Sequence, residues 1–197
     1  MSTTNINSAP ATAFNSSTAG ALPSGAYHFI TTWRLRATRE EVYRILEEVE
    51  SLPQWWPSVY LGVKVLEKGL PGGIGKRVSL HTKGWLPYTL RWDFLVTAAD
   101  FPTGFALRAS GDFVGEGVWD FRQSGDECIV IYDWKISAEK PLLKKLSWLL
   151  RPVFSANHEW AMRKGLESLE LELQRRRGVS DVPAPPGPVF PHNLARK

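Results

Sequence analysis

Cysteine is nearly absent from this chain: Cys128 is the only one in 197 residues. A single thiol excludes an internal disulfide and any multi-cysteine metal site. Its place in the strand-like run Cys128-Ile129-Val130-Ile131 marks it as a small buried hydrophobe rather than a nucleophile. The histidines His28, His81, His158 and His192 are scattered, with no His-x-x-x-His pair, so no metal is expected. No glycine-rich loop leads into Lys and Ser or Thr, and no serine nucleophile elbow is present. Gly72-Gly73-Ile74-Gly75 therefore reads as a turn, and no cofactor is expected.

Long apolar runs are missing as well. No segment approaches the roughly 20 consecutive apolar residues of a membrane-spanning helix. Residues 1–25, rich in Ser, Thr, Ala and Asn, carry neither the basic cluster nor the apolar run of a signal peptide, so the expected location is cytoplasmic. Charge of one sign is only mildly in surplus, at +4. The surplus gathers at Lys140, Lys144, Lys145, Arg151 and Arg175-Arg176-Arg177. Positive residues at a helix end complement the helix dipole on a solvated face, so no nucleic-acid partner is expected.

What the chain does contain is a run of strand patterns and then a long helical stretch. Val182-Pro183-Ala184-Pro185-Pro186-Gly187-Pro188 can build neither ladder nor helix. The reading is therefore a disordered tail over 1–25, one folded domain over 26–177 and a Pro-rich disordered tail over 178–197. The domain opens on a strand, Tyr27 to Ala37, with Phe29, Thr31, Trp33 and Leu35 alternating. Thr38 and Glu41 form a capping box, which predicts a helix with the stripe Val42, Ile45, Leu46 and Val49, closed by Pro53. Strand patterns come next at 60–67, 76–82, 88–98, 104–110, 114–123 and 127–137, separated by short turns, as in an antiparallel sheet.

The last hairpin allows a register to be derived. A Gly125-Asp126 turn of the type that needs glycine first pairs Ser124 with Glu127. Trp119 then lies opposite Tyr132, Phe121 opposite Val130, and Gly117 opposite Trp134. Alternation in the earlier strand puts Tyr88, Leu90, Trp92, Phe94 and Val96 on one side. One face of the sheet is thus aromatic and needs a cover. The cover is the stretch after Pro141, whose apolar stripe shifts about Pro152: first Leu142, Leu146, Leu149 and Val153, then Phe154, His158, Ala161, Met162, Gly165, Leu166, Leu169 and Leu173. Proline kinks or splits a helix, so two helical pieces are expected. The second covers the sheet, and the first, 140–151, is amphipathic, with Trp148 on its flank. It either packs on the body or makes a weak contact with an anionic membrane surface.

These elements and several local patterns resemble the START-type superfamily, which includes the polyketide cyclase/dehydrase and lipid transport proteins. The patterns are Trp33-x-x-x-Ala37-x-x-Glu40-x-Val42, Leu52-Pro53-Gln54-Trp55-Trp56-Pro57, Gly111-Asp112-Phe113 with Gly115-x-Gly117-x-Trp119, and Arg151-Pro152 with Asn157-His158-x-x-Ala161-Met162 after it. The resemblance implies an α+β helix-grip fold: a curved antiparallel sheet of about seven strands around a long C-terminal helix, with two short helices after the first strand. It also implies a cavity between helix and sheet for a hydrophobic small molecule or lipid. The superfamily has no universal catalytic motif, so no catalytic residue carries over.

The residues expected to line that cavity are Tyr88, Trp92, Trp119, Tyr132, Trp134, Phe154, His158 and Met162, with Trp55 and Trp56 at its mouth. Aromatic walls with few polar tips suit a hydrophobic ligand, although each is also a natural core residue. Two further functions remain open at this level. His158 with Tyr88 or Tyr132 would supply acid/base groups for a cyclase or dehydrase. The stretch 140–151 would serve lipid transfer at a membrane surface. Nothing in the sequence fixes the oligomeric state.

Overall fold

The computed structural model describes residues 26–138 and 141–189, with the backbone alone described at 138 and over 141–151. The chain runs β1 (Ala26–Leu35), α1 (Arg39–Glu47), a 3-10 turn (Val49–Ser51), α2 (Leu52–Trp55), β2 (Tyr60–Glu67) and β3 (Arg77–Lys83). It continues through β4 (Thr89–Asp100), β5 (Gly104–Gly111), β6 (Phe113–Ser124), β7 (Glu127–Ala138) and α3 (Pro141–Arg176). The strands form one antiparallel sheet in the order β1-β7-β6-β5-β4-β3-β2. Sequential hairpins build β2 through β7, and β1 closes on β7 from the far end of the chain. With α3 laid across the aromatic face, this is the helix-grip arrangement.

Local chemistry sets the starts and stops. The Thr38 hydroxyl accepts from the Glu41 backbone at 3.2 Å, and the Thr38 backbone donates to the Glu41 carboxylate at 2.8 Å, completing the capping box. α1 buries Val42, Tyr43, Ile45 and Leu46. It ends at Glu47, earlier than the stop expected at Pro53. A 3-10 turn intervenes, and Pro53 instead sits in the first turn of α2, where its missing N–H leaves no bond unmade. Gly125 adopts φ +61° at the β6–β7 turn, and the pairs Ser124–Glu127, Phe121–Val130, Trp119–Tyr132 and Gly117–Trp134 all form.

The division of the last helix at Pro152 is overturned. α3 is one α-helix of 36 residues with Pro152 inside it. Proline deletes one backbone donor and crowds the carbonyl four residues earlier, at a cost of about 3 kcal/mol. Pro152 is exposed, so the carbonyl it frees opens on the solvent side and water can satisfy it. The interruption is thus tolerated by a helix held elsewhere. Whether 140–151 packs or meets a membrane falls on side chains outside the described residues. No helix among the described residues is long and apolar enough to cross a membrane.

α3 divides by role along its length instead. Met162, Leu169 and Leu173 are buried in the core with Val42, Ile45, Leu52, Trp55 and Phe121. Gly165 admits Trp56: a Cβ there would lie 2.3 Å from the indole Cζ2. Two of the three arginines at the helix end pair with α1 and its C-cap. Arg176 binds the Glu48 carboxylate at 2.7 and 3.0 Å, and Arg177 binds Glu41 at 2.8 and 2.9 Å. The Arg177 hydrogen bond is the main reason that the Glu41 carboxyl is held down at about 2.

Candidate functional site

The middle of α3 stands beside open space. Phe154, Asn157, His158, Ala161 and Met162 face a cavity of about 140 Å³. The opposite wall is the aromatic face of the sheet: Tyr27 and Phe29 from β1, Leu90 and Trp92 from β4, Trp119 from β6, and Tyr132, Trp134 and Ile136 from β7. The remaining wall comes from Trp56, Val59 and Tyr60 after α2, and from Thr82, Lys83, Gly84 and Tyr88 around the end of β3. Phe113, at the start of β6, completes the lining.

The eight residues expected from the sequence to line the cavity, Tyr88, Trp92, Trp119, Tyr132, Trp134, Phe154, His158 and Met162, lie along this one space. Of the pair expected at the mouth, Trp56 forms part of the wall and Trp55 does not. Both are buried, at 2% and 1% exposure, with ring centroids 5.5 Å apart, so Trp55 backs Trp56 from behind. Residues the sequence did not single out include Tyr27, Phe29, Tyr60, Phe113 and Lys83. The first two share the parity of the wall, since Tyr27 pairs with Ile136 and Phe29 with Trp134. Asn157 accepts from the Leu86 backbone at 3.2 Å. It lies so close to the chain at Gly84 that a Cβ there would come 2.1 Å from its Oδ1. The β3–β4 loop is thereby fastened to α3.

The wall is built by stacking along the sheet. Trp119 and Tyr132, directly opposed across β6 and β7, stack at 4.0 Å with 17° between planes. Tyr132 continues onto Trp134 at 5.6 Å, and Trp134 meets Trp92 at 5.7 Å. Glycine opposite Trp134 makes this possible, because a Cβ at Gly117 would fall 2.7 Å from its ring. The Trp92 Nε1–H donates to the Thr82 hydroxyl at 3.0 Å, satisfying the one polar atom of that ring.

Burial governs the polar groups. The Tyr88 phenol is pushed up to about 12, and those of Tyr60 and Tyr132 are raised further, chiefly by desolvation. All three remain protonated near neutral pH and can donate hydrogen bonds. His158 stacks on Phe29 at 4.1 Å and 16°, and burial lowers its pKa to about 4. It is therefore neutral, and its Nε2 is buried without a hydrogen-bond partner among the described residues. The Trp56 Nε1 is in the same condition. Burial also lowers the Lys83 ammonium, which donates to the Val189 carbonyl at 2.6 Å.

No family model and no curated protein sequence matches the chain. Solved structures do match it. The TTHA0849 protein of Thermus thermophilus superposes with a TM-score of 0.60 at 21% identity, over 79% of this chain and 99% of its own. The Zhui aromatase/cyclase of a Streptomyces species gives 0.59 at 19%, over 77% and 96%. A START superfamily protein of Mycobacterium smegmatis gives 0.58 at 17%, over 76% and 98%. At these identities the likeness is one of fold, and that fold is the helix grip.

Proposed function

We propose that residues 26–177 form one ligand-binding domain that takes up a compact hydrophobic molecule between α3 and the aromatic face of the sheet. The contacts would come from Tyr88, Trp92, Trp119, Tyr132, Trp134, Phe154, His158 and Met162. The observation that carries this reading is the unpartnered, buried His158 Nε2 in a wall that is largely aromatic and aliphatic. A buried polar atom left unpaired costs about 1–3 kcal/mol. A ligand whose hydroxyl or carbonyl displaces the side chains packed on that atom recovers the loss, while its apolar body gains from the rings around it. The size of the space bounds the ligand: about 140 Å³ is the scale at which a protein cavity takes up a single aromatic ring. Longer lipids or fused polycycles require wall side chains or the entrance to move.

The likeness in fold to a START superfamily protein and to an aromatase/cyclase supports the ligand class. Native mass spectrometry of the purified protein, with tryptophan fluorescence during titration of phenol, indole, naphthalene and a medium-chain fatty acid, tests the reading. Saturable binding of at least one compound is expected. No bound mass and no fluorescence change for all four compounds would sink it.

A second reading, cyclase or dehydrase chemistry, draws on the same groups: neutral His158 as base, with Tyr88 or Tyr132 as proton donor. Magnitudes weigh against it. A general base works best when its pKa lies near the operating pH, and His158 at about 4 is a weak base at neutrality. It suits a ligand-orienting hydrogen bond better than proton abstraction. Conversion of a poly-β-ketone mimic that disappears in His158→Ala would reverse this preference.

A further inference from the structure

α3 is finished before the chain is. Gly178, at φ +75°, donates to the Arg175 carbonyl at 3.0 Å, and Val179 donates to Gln174 at 3.1 Å, so the last turn is closed from within. Residues 181–189 are not needed to cap the helix, yet they are placed. Val182, Pro185, Pro186 and Val189 are half-buried while Pro183, Ala184, Gly187 and Pro188 are exposed. One side of an irregular, proline-rich segment is therefore packed.

Its path can be worked out from lengths. Asn157, which touches the chain at Gly84, lies some twenty residues before the end of α3, about 30 Å at ~1.5 Å per residue. After the turns at 177–178 and 180–181, where Asp181 has φ +58°, the segment 182–189 reaches about 25 Å at the polyproline rise of ~3.1 Å per residue. A nearly straight return along α3, met by the long Lys83 side chain, therefore spans the distance to Lys83, which adjoins Gly84. Two contacts mark that return. Arg175 donates to the Pro183 carbonyl early in the segment, and the Lys83 ammonium donates to the Val189 carbonyl at 2.6 Å. Lys83 is a cavity-lining residue, and it is only 2% exposed.

We infer that residues 181–189 form a strap over the Lys83 side of the cavity, latched by the Lys83–Val189 hydrogen bond, and that the strap lifts to admit solvent or ligand. An ammonium so deeply buried needs an acceptor, and the strap brings one. Proline supplies the rest, since a segment already restricted to extended geometry loses little entropy on seating. The Lys83–Val189 bond is made to a main-chain carbonyl and is weaker than a carboxylate pair, so it can open without unfolding the domain. This inference goes beyond the proposed ligand-binding reading, because solvent access to the cavity can be measured with no ligand at all.

The test compares acrylamide quenching of tryptophan fluorescence in the intact chain, a chain ended after Ser180, full-length Lys83→Met and full-length Lys83→Arg. Trp56, Trp92, Trp119 and Trp134 line the cavity and report on its opening. The quenching slope is expected to steepen several-fold in the shortened chain, to move the same way in Lys83→Met, and to stay near the intact value in Lys83→Arg, which keeps a cationic donor. Circular dichroism melts establish which forms are folded. Should the shortened chain fail to fold, the contrast between Lys83→Met and Lys83→Arg decides. Equal slopes in folded intact chain and Lys83→Met overturn the strap, whatever the outcome of the binding titrations.

Discussion

The protonation of His158 offers the sharpest quantitative test of the site. Its pKa is lowered from 6.5 to about 4 because burial disfavours the charged ring. Linkage gives the sign. Between these two values the unfolded chain binds a proton that the folded chain refuses, so stability is full above 6.5 and declines as pH falls toward 4. A gap of this size corresponds to about 3 kcal/mol when traversed completely, at ~1.4 kcal/mol per unit, and most of it is lost by about pH 4.5. His158→Phe keeps a flat ring against Phe29 and removes both the titration and the unpartnered nitrogen. Urea unfolding monitored by far-ultraviolet circular dichroism, at neutral pH and at about pH 4.5, reads the difference. The two proteins are expected to lie within about 1 kcal/mol of each other at neutrality, with the variant more stable by about 2 kcal/mol or more at the lower pH. Parallel pH dependences in the two proteins, or a His158 ring titrating near 6.5 by NMR, would refute the claim that this ring sits dry and neutral in the wall.

Three other perturbations have defined outcomes. Arg177→Ala frees Glu41, whose carboxyl is held at about 2 against an ordinary 4.5; because the pair is partly exposed, the loss at neutral pH is no more than about 1 kcal/mol. Its pH window is lower than that of His158: the contribution is complete above 4.5 and vanishes toward 2, so variant and parent converge in strong acid in urea titrations. Thr82→Val leaves the Trp92 indole N–H without its buried acceptor and is expected to destabilise by about 1–3 kcal/mol, with a shifted tryptophan emission maximum. Gly165→Ala gains about 1 kcal/mol of helix propensity but drives a methyl into Trp56, an overpacking worth about 1–3 kcal/mol; net destabilisation in chemical unfolding is expected, and a more stable variant would show that the indole is not wedged.

The parts of this fold that were legible in the sequence are those fixed by neighbours in the chain. The β6–β7 register needed only Gly125 and a period of two, and the start of α1 needed only Thr38 and Glu41. The wall residues Trp92, Trp119, Tyr132 and Trp134 emerged from the same alternation. What could not be read depends on distant partners. Tyr27 and Phe29 join the wall because β1 pairs with β7 across more than a hundred residues, and no local signal announces that pairing. Lys83 comes directly after Thr82, so strand alternation assigns the two to opposite faces, and only the turn of the chain at Gly84 and the return of the C-terminal segment bring Lys83 to the cavity. The expected break at Pro152 failed for a related reason. A shift of apolar stripe and a proline together suggest two helices, but the exposure of that proline, which lets water take up the freed carbonyl, is a property of the assembled protein.

The cavity persists because two parts of α3 do different work. At its C-terminal end, Leu169 and Leu173 are fully packed, Trp56 fills the notch at Gly165, and Arg176 and Arg177 tie the helix to α1 and its C-cap. That end fixes the height of the helix above the sheet. Under residues 154–162, collapse would require the wall rings to swing out of the stacks from Trp119 through Tyr132 to Trp134. Such aromatic pairs contribute about 0.5–1.5 kcal/mol each beyond their buried area, so the stacked state is favoured even beside empty space. The helix is thus held up at its C-terminal end while the rings below its middle stay stacked, and His158 stands between the two.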